Sequence, residues 1–230
     1  MKYKLDPHTI VALEGPDNCG KSSVAKALQG LLTATYTHMP SGKAGWSKAV
    51  YGLLEGLTQA DKSGMPTISR QLLHLACHHE HFANEIAPAL KTGGVVMDRC
   101  WASAYVYGWM GDSSTALNID HDDYVKLIKT PLSHIHAGEY HSEDLLDPEV
   151  KIFVYYLGPP YKADPHNTPA ILLGYNTMDK WYEQLFPGEY IYLPGVHYTV
   201  IHDNLLTPEE RALLIIEDLG VRCAITKETQ

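Results

Sequence analysis

Arginine is scarce in this chain: its 230 residues hold only Arg70, Arg99, Arg211 and Arg222. A planar guanidinium grips phosphate with two parallel bonds, so the scarcity narrows any phosphate-handling role to a few positions. Positive charge is short overall, with 18 basic against 27 acidic residues and a formal net charge of −9. That balance disfavours broad electrostatic capture of nucleic acid, although a local cationic channel is compatible with it. Cys19, Cys77, Cys100 and Cys223 are scattered without a Cys-x-x-Cys pair and read as free thiols in a reducing compartment. Long uncharged apolar runs are missing, so no membrane partner is expected, and Met1 to Pro7 lacks the apolar stretch of a signal peptide. These absences together point to the cytoplasm. There is no internal repeat and no low-complexity tract.

What remains is a chain that is 45% apolar, enough to bury a core and of a length suited to one α/β domain over residues 1–230. Thr9 to Glu14 (TIVALE) is apolar and β-branched, the pattern of a buried strand, and a glycine-bounded turn follows over Gly15 to Gly20. Val24, Ala25, Leu28, Leu31 and Leu32 have helical spacing over Lys21 to Leu32. Ala34 to His38 reads as a short strand and Trp46 to Leu57 as a helix. Ile68, Leu72, Leu75, Phe82, Ile86 and Leu90 mark one long amphipathic helix, with Pro88 kinking its last turn and Gly93-Gly94 stopping it. Val95 to Met97 is a buried strand ending at Asp98, and Val150 to Leu157 (VKIFVYYL) is another. Gly158 to Asn176, rich in Pro and Gly, reads as a mobile loop. Asp179 to Phe186 reads as a helix, Tyr190 to Leu193 as a strand, and Thr207 with Glu210 as the capping box of a final helix. Strands alternating with helices predict a parallel sheet of about five strands with helices on both faces.

Gly15-Pro16-Asp17-Asn18-Cys19-Gly20-Lys21-Ser22 fits the G-x-x-x-x-G-K-[ST] pattern, placed between a strand and a helix. Glycines let backbone N–H groups turn inward onto phosphate oxygens, and the helix that follows aims its positive end at the anion. Gly15, Asp17, Asn18, Cys19, Gly20, Lys21, Ser22 and Ser23 are therefore the expected contacts of a nucleoside triphosphate, ATP. Lys21 supplies a point charge and Ser22 a hydroxyl for Mg²⁺. A carboxylate ending a buried strand commonly orients that metal, which nominates Asp98, and Arg99 beside it could hold an acceptor phosphate. The competing readings are a coincidental glycine turn and an ordinary surface Asp–Arg pair.

With these motifs in place, the chain resembles the thymidylate kinase family. LEGPDNCGKSS (Leu13 to Ser23), HLACHHEHFANEIAPAL (His74 to Leu90), VVMDRCWASAYVYG (Val95 to Gly108) and DPEVKIFVYYL (Asp147 to Leu157) carry the likeness. The resemblance implies a P-loop kinase fold with a mobile lid, here about residues 158–176, and transfer of a phosphoryl group from ATP to a thymidylate-like monophosphate. It implies that Asp17 lies near the acceptor sugar and that Lys21 and Ser22 serve the donor phosphates and Mg²⁺. It also implies that Asp98 and Arg99 meet the acceptor phosphate, that Ser103 and Tyr107 line the nucleoside pocket, and that a homodimer forms through the long helices. The departures fall on base reading. His74 and His78 stand where the family has a stacking Phe and a base-contacting Arg, Gly108 where it has Gln, and Asn18 at the P-loop position of a catalytic Arg. The lid stretch has no Arg, leaving Lys162 as its catalytic candidate. Two other functions stay open. One is phosphorylation of 5-hydroxymethyluracil within DNA, as in kinase-like relatives from viruses, which would place the protein in host cytoplasm. The other is nucleotide binding without catalysis.

Several constellations have ordinary readings. His74, His78, His79 and His81 crowd one helix, yet no His-Glu-x-x-His occurs, so pocket lining or a solvated face is expected before a zinc site. Tyr155, Tyr156 and Tyr161 near a sheet end read first as packing, Asp120 to Asp123 as a solvated helix start, and His134 and His136 as surface residues.

Overall fold

The computed structural model describes residues 2–16, 18–39, 41, 45–56, 65–110, 119–130, 150–158, 180, 196–201 and 206–228. The chain divides into two compact units, Met1–Thr37 with Ala89–Cys100 and Pro148–Gln230, and His38–Pro88 with Trp101–Asp147.

The first unit is built on a five-stranded parallel sheet. In chain order its strands are β2 (Thr9–Glu14), β4 (Thr35–His38), β5 (Val95–Asp98), β6 (Lys151–Leu157) and β7 (Val196–Ile201), and their spatial order is β4-β5-β2-β6-β7. β2 is central, buried along all its residues and parallel to both β5 and β6. That explains why TIVALE reads as a continuous apolar run rather than an alternating one. Its register sets Leu13 opposite Asp98 and Glu14 opposite Tyr156, so the loop after β2 leaves the sheet level with the end of β5. The carboxyl edge of an open α/β sheet is where ligands bind. A smaller sheet joins β1 (Tyr3–Leu5), β3 (Leu32–Thr33) and β8 (Ile225–Lys227).

Two helices of this unit pack together, α1 (Lys21–Leu31) and α6 (Pro208–Val221). Leu13, Val24, Leu28, Phe153, Ile215 and Leu219 share one buried cluster. Each such side chain is worth about 1.5–3 kcal/mol when fully buried. Thr207 and Glu210 close the expected capping box at the start of α6. The Tyr155 hydroxyl donates to Asp218 at 2.7 Å and Arg222 Nε donates to the same carboxylate at 2.9 Å, tying α6 to β6. Tyr155 and Tyr156 are fully buried, so they pack rather than stack on a ligand.

The second unit contains α2 (Gly45–Gly56), α3 (Thr67–His81), α4 (Trp101–Ala104) and α5 (His121–Lys129). Glu80 of α3 accepts from the Trp46 and Ser47 N–H groups at 3.2 and 2.8 Å, capping α2 from outside its own sequence. The Asp120 side chain accepts from Asp122 N–H and caps α5, as the acidic patch suggested.

The structure differs from the sequence expectations at several elements. α1 stops at Leu31, because Leu32 is needed as a buried strand residue in the small sheet. The long helix is not regular up to Pro88: it passes through a π-helical turn at Phe82–Ile86, with Ala87 N–H reaching Phe82 O, before Ala87–Leu90. A proline in a helix clashes with the carbonyl four residues back, and a widened turn ahead of it relieves that clash. β7 and the small sheet were not expected. The expected helix at Asp179 to Phe186 lies outside the described residues except for Lys180. The strand at Tyr190 to Leu193, His134, His136, Tyr161 and the lid beyond Gly158 lie wholly outside them.

Candidate phosphate-binding site and the helices of the second unit

The phosphate loop is shaped by left-handed backbone at three positions, Gly15 (φ 140°), Asn18 (φ 64°) and Gly20 (φ 93°). Such conformations turn successive N–H groups to one side and form an anion-binding concavity. At Gly15 the glycine is obligatory for space as well: a Cβ there would run into the Leu157 carbonyl of β6 and the Cys19 sulfur. Asn18 carries the same conformation with a side chain, which asparagine tolerates better than most residues. Gly20 stands at the N-cap of α1.

Lys21 opens α1 and is 6% exposed. Its Nζ donates to Gly15 O at 2.9 Å and to Pro16 O at 2.6 Å and lies 3.6 Å from Cys19 Sγ. The ammonium therefore sits inside the loop it would serve. Burial pushes the Cys19 thiol above its ordinary range, against the pull of Lys21. Ser22, next along, donates its hydroxyl to Asp98 Oδ2 at 2.7 Å across 76 positions of sequence. Asp98 is only 7% exposed, and its Oδ1 is buried with no hydrogen-bond partner among the described residues. A surface ion pair would have neither property, so that reading of Asp98-Arg99 fails. A hydroxyl and a carboxylate with one unsatisfied buried oxygen are oxygen donors of the kind Mg²⁺ takes; these residues fit the metal.

Arg99 holds φ 76°, unusual for a long side chain and the kind of strain that collects at functional sites. Its N–H donates to Leu13 O at 2.9 Å and its Nη1 reaches Gly15 O at 3.5 Å. The turn is pinned by Glu14, fully buried, whose Oε1 accepts from Cys100 N–H at 2.6 Å. Glu14 was not singled out from sequence, although a charged residue closing an otherwise apolar strand is a readable signal. Arg211 was likewise given no role. It is 4% exposed, and its Nη1 donates to Cys19 O at 3.2 Å. Ser23 lies half-buried on the first turn of α1. Asp17 and Lys162 lie outside the described residues.

The remaining candidates, His74, His78, Ser103 and Tyr107, belong to the second unit. His74 is half-buried and meets Tyr51 edge-on at 5.7 Å. His78 is 5% exposed, and its Nδ1 has no partner among the described residues. Burial first, then the neighbouring His74, His81 and His79, push its pKa down to about 3, so it is neutral at physiological pH. His81 lies 3.5 Å from Glu85, which also accepts from Ser41 Oγ at 2.6 Å. Among the described residues, no three His, Cys, Asp or Glu side chains are grouped so as to hold a metal ion. Ser103 is buried in α4, and Tyr107 is half-buried in the π-helical turn Tyr105–Met110 that continues it. The glycine at position 108 has a local reason: a Cβ there would collide with the Tyr124 hydroxyl, which donates to Ala104 O at 3.0 Å, and would approach Gln71. Gln71, buried one turn before His74, was missed because polar residues on a long amphipathic helix are ordinarily on its solvated face.

Residues 13–123 match the thymidylate kinase family model. Over that segment the chain is similar to the thymidylate kinase family. The chain is 30% identical over 110 residues to the thymidylate kinase of Limosilactobacillus reuteri, covering 44% of this chain and 50% of that protein. It is 31% identical over 120 residues to that of Geobacter sulfurreducens, covering 51% and 54%. The matches thus span about half the length of these curated relatives. The fold extends further. The thymidylate kinase structure from Ehrlichia chaffeensis superposes with a TM-score of 0.58 at 18% identity, over 92% of this chain and 98% of that one. The Candida albicans thymidylate kinase gives 0.61 at 14%, over 100% and 98%. Similarity at that identity establishes the shared fold. Among the described residues, no helix is long and apolar enough to cross a membrane.

Proposed function

We propose that this chain is a P-loop phosphotransferase, one kinase domain over residues 1–230 with a lid at about 158–176, which moves the terminal phosphoryl group of ATP to a thymidylate-like deoxynucleoside monophosphate. The observation that carries the reading is the Ser22–Asp98 hydrogen bond beside the loop-enclosed Lys21 ammonium. It unites a phosphate cradle with a metal-ready carboxylate at one sheet edge. Backbone N–H groups of Gly15 to Ser23 hold the triphosphate, and Lys21 neutralises charge on its outer phosphates. Mg²⁺ supplies further charge neutralisation when bound, and Ser22 and Asp98 would hold it. Arg99 and Asp17 orient the acceptor, and Lys162 completes the cationic ring from the lid. Ser103 and Tyr107 line the nucleoside pocket. His74 and His78 take the base-reading positions, where a neutral His78 offers hydrogen bonds rather than charge.

The reading places the protein in the cytoplasm as a homodimer. Its test is incubation of the protein with labelled ATP and Mg²⁺ against thymidylate, its hydroxymethyl analogue, and DNA containing 5-hydroxymethyluracil. Transfer to a free monophosphate is expected. Transfer only to DNA would replace the acceptor, and binding of ATP with no transfer would leave a nucleotide-binding protein.

A further inference from the structure

Arg211 stands on the buried stripe of α6, in line with Ala212, Ile215, Ile216 and Leu219. An aliphatic residue would pack there without the desolvation that a buried guanidinium incurs, so the charge calls for a reason. Its Nη1 donates to the carbonyl of Cys19 at 3.2 Å, across 192 positions of sequence. In a planar trans peptide the carbonyl of one residue and the N–H of the next point in opposite directions. A guanidinium that fixes the Cys19 carbonyl therefore also fixes the Gly20 N–H, aimed away from α6. Gly20 has φ 93° and makes no side-chain cap, so its peptide has little local restraint of its own. The anchor is itself seated, because Tyr155 and Arg222 both hold Asp218 two turns along the same helix.

We propose that Arg211 is a positioning residue of the phosphate loop, holding the Cys19–Gly20 peptide so that the Gly20 N–H faces the bound nucleoside triphosphate. The inference rests on the phosphotransferase reading of that loop. Replacing Arg211 removes the charge-assisted hydrogen bond to the Cys19 carbonyl, and Arg211→Met should weaken ATP binding about tenfold. Calorimetric affinity for ATP is the primary readout, with the KM for ATP rising in parallel and the acceptor KM unchanged. Arg211→Lys should restore part of the affinity. Arg222→Gln, which loosens the same helix without touching the loop, should leave ATP affinity as in the wild type. Wild-type ATP affinity in a folded Arg211→Met protein overturns the proposal, as does an equal loss in Arg222→Gln. Should Arg211→Met not fold, Arg211→Gln takes its place with the same expectation; if neither folds, Arg211 serves the fold alone and the proposal is overturned. Lys21→Ala separates the two levels of inference. If the wild type binds ATP and Lys21→Ala does not, the loop reading stands whatever Arg211 does; if the wild type does not bind ATP, the function itself fails.

Discussion

At the scale of single residues, the proposed donor site rests on two side chains with separable tasks. Lys21 is an enclosed point charge, so Lys21→Ala should lower kcat by on the order of a hundredfold or more, read by initial rates at saturating ATP. Asp98 holds Ser22 and keeps a buried oxygen unsatisfied. Asp98→Asn keeps the shape but removes the negative charge, and should shift the Mg²⁺ concentration giving half-maximal rate upward by about tenfold. A rate that saturates at the wild-type Mg²⁺ level would remove Asp98 from the metal site. Glu14 and Arg99 act on shape: one pins the turn after β5, the other accepts a strained backbone there.

At the scale of elements, caps and close approaches decide more than propensity. The Thr207–Glu210 box satisfies orphan N–H groups at the start of α6, so Thr207→Ala should cost about 1 kcal/mol in a denaturant titration. Gly108 sits where the π-helical turn brings the backbone against Tyr124. Gly108→Ala should therefore destabilise by about 1–3 kcal/mol, more than any gain from helix propensity, and pairing it with Tyr124→Phe should recover part of that loss. The elements themselves were largely legible. TIVALE, VVMD and KIFVYYL declare buried parallel strands by unbroken apolar runs, and α6 declares its start through a capping box. The π-turn before Pro88 was legible only as a kink, since a proline announces a lost hydrogen bond and not how the chain around it adapts. β7, with His197 and Tyr198 among its residues, lacks the unbroken apolar run that betrayed β2 and β6.

At the scale of the whole molecule, stability should carry the signature of His78. Its pKa is lowered from 6.5 to about 3 by burial, so the folded state stays neutral while the unfolded state takes up a proton as pH falls below about 6.5. The unfolded state then binds more protons, and stability drops with falling pH. Between pH 7 and pH 5 the loss from this residue alone is about 2 kcal/mol. Urea midpoints at the two pH values should draw closer together in His78→Leu; an unchanged gap would mean that other groups carry the acid sensitivity.

The sequence by itself determined the α/β class and the strand–loop–helix around Gly15 to Ser22, because both are local: strand periodicity, glycine placement and a helix start lie within a few neighbouring residues. It also nominated Asp98, since a carboxylate that ends a buried apolar strand is a readable local signal. Only the tertiary structure decided that Ser22 and Asp98 touch and that Glu14 pins the turn after β5. The same holds for Arg211 in α6 reaching Cys19. Those contacts join residues 76, 86 and 192 positions apart, and nothing in a linear pattern records which buried polar groups must satisfy one another once water is excluded.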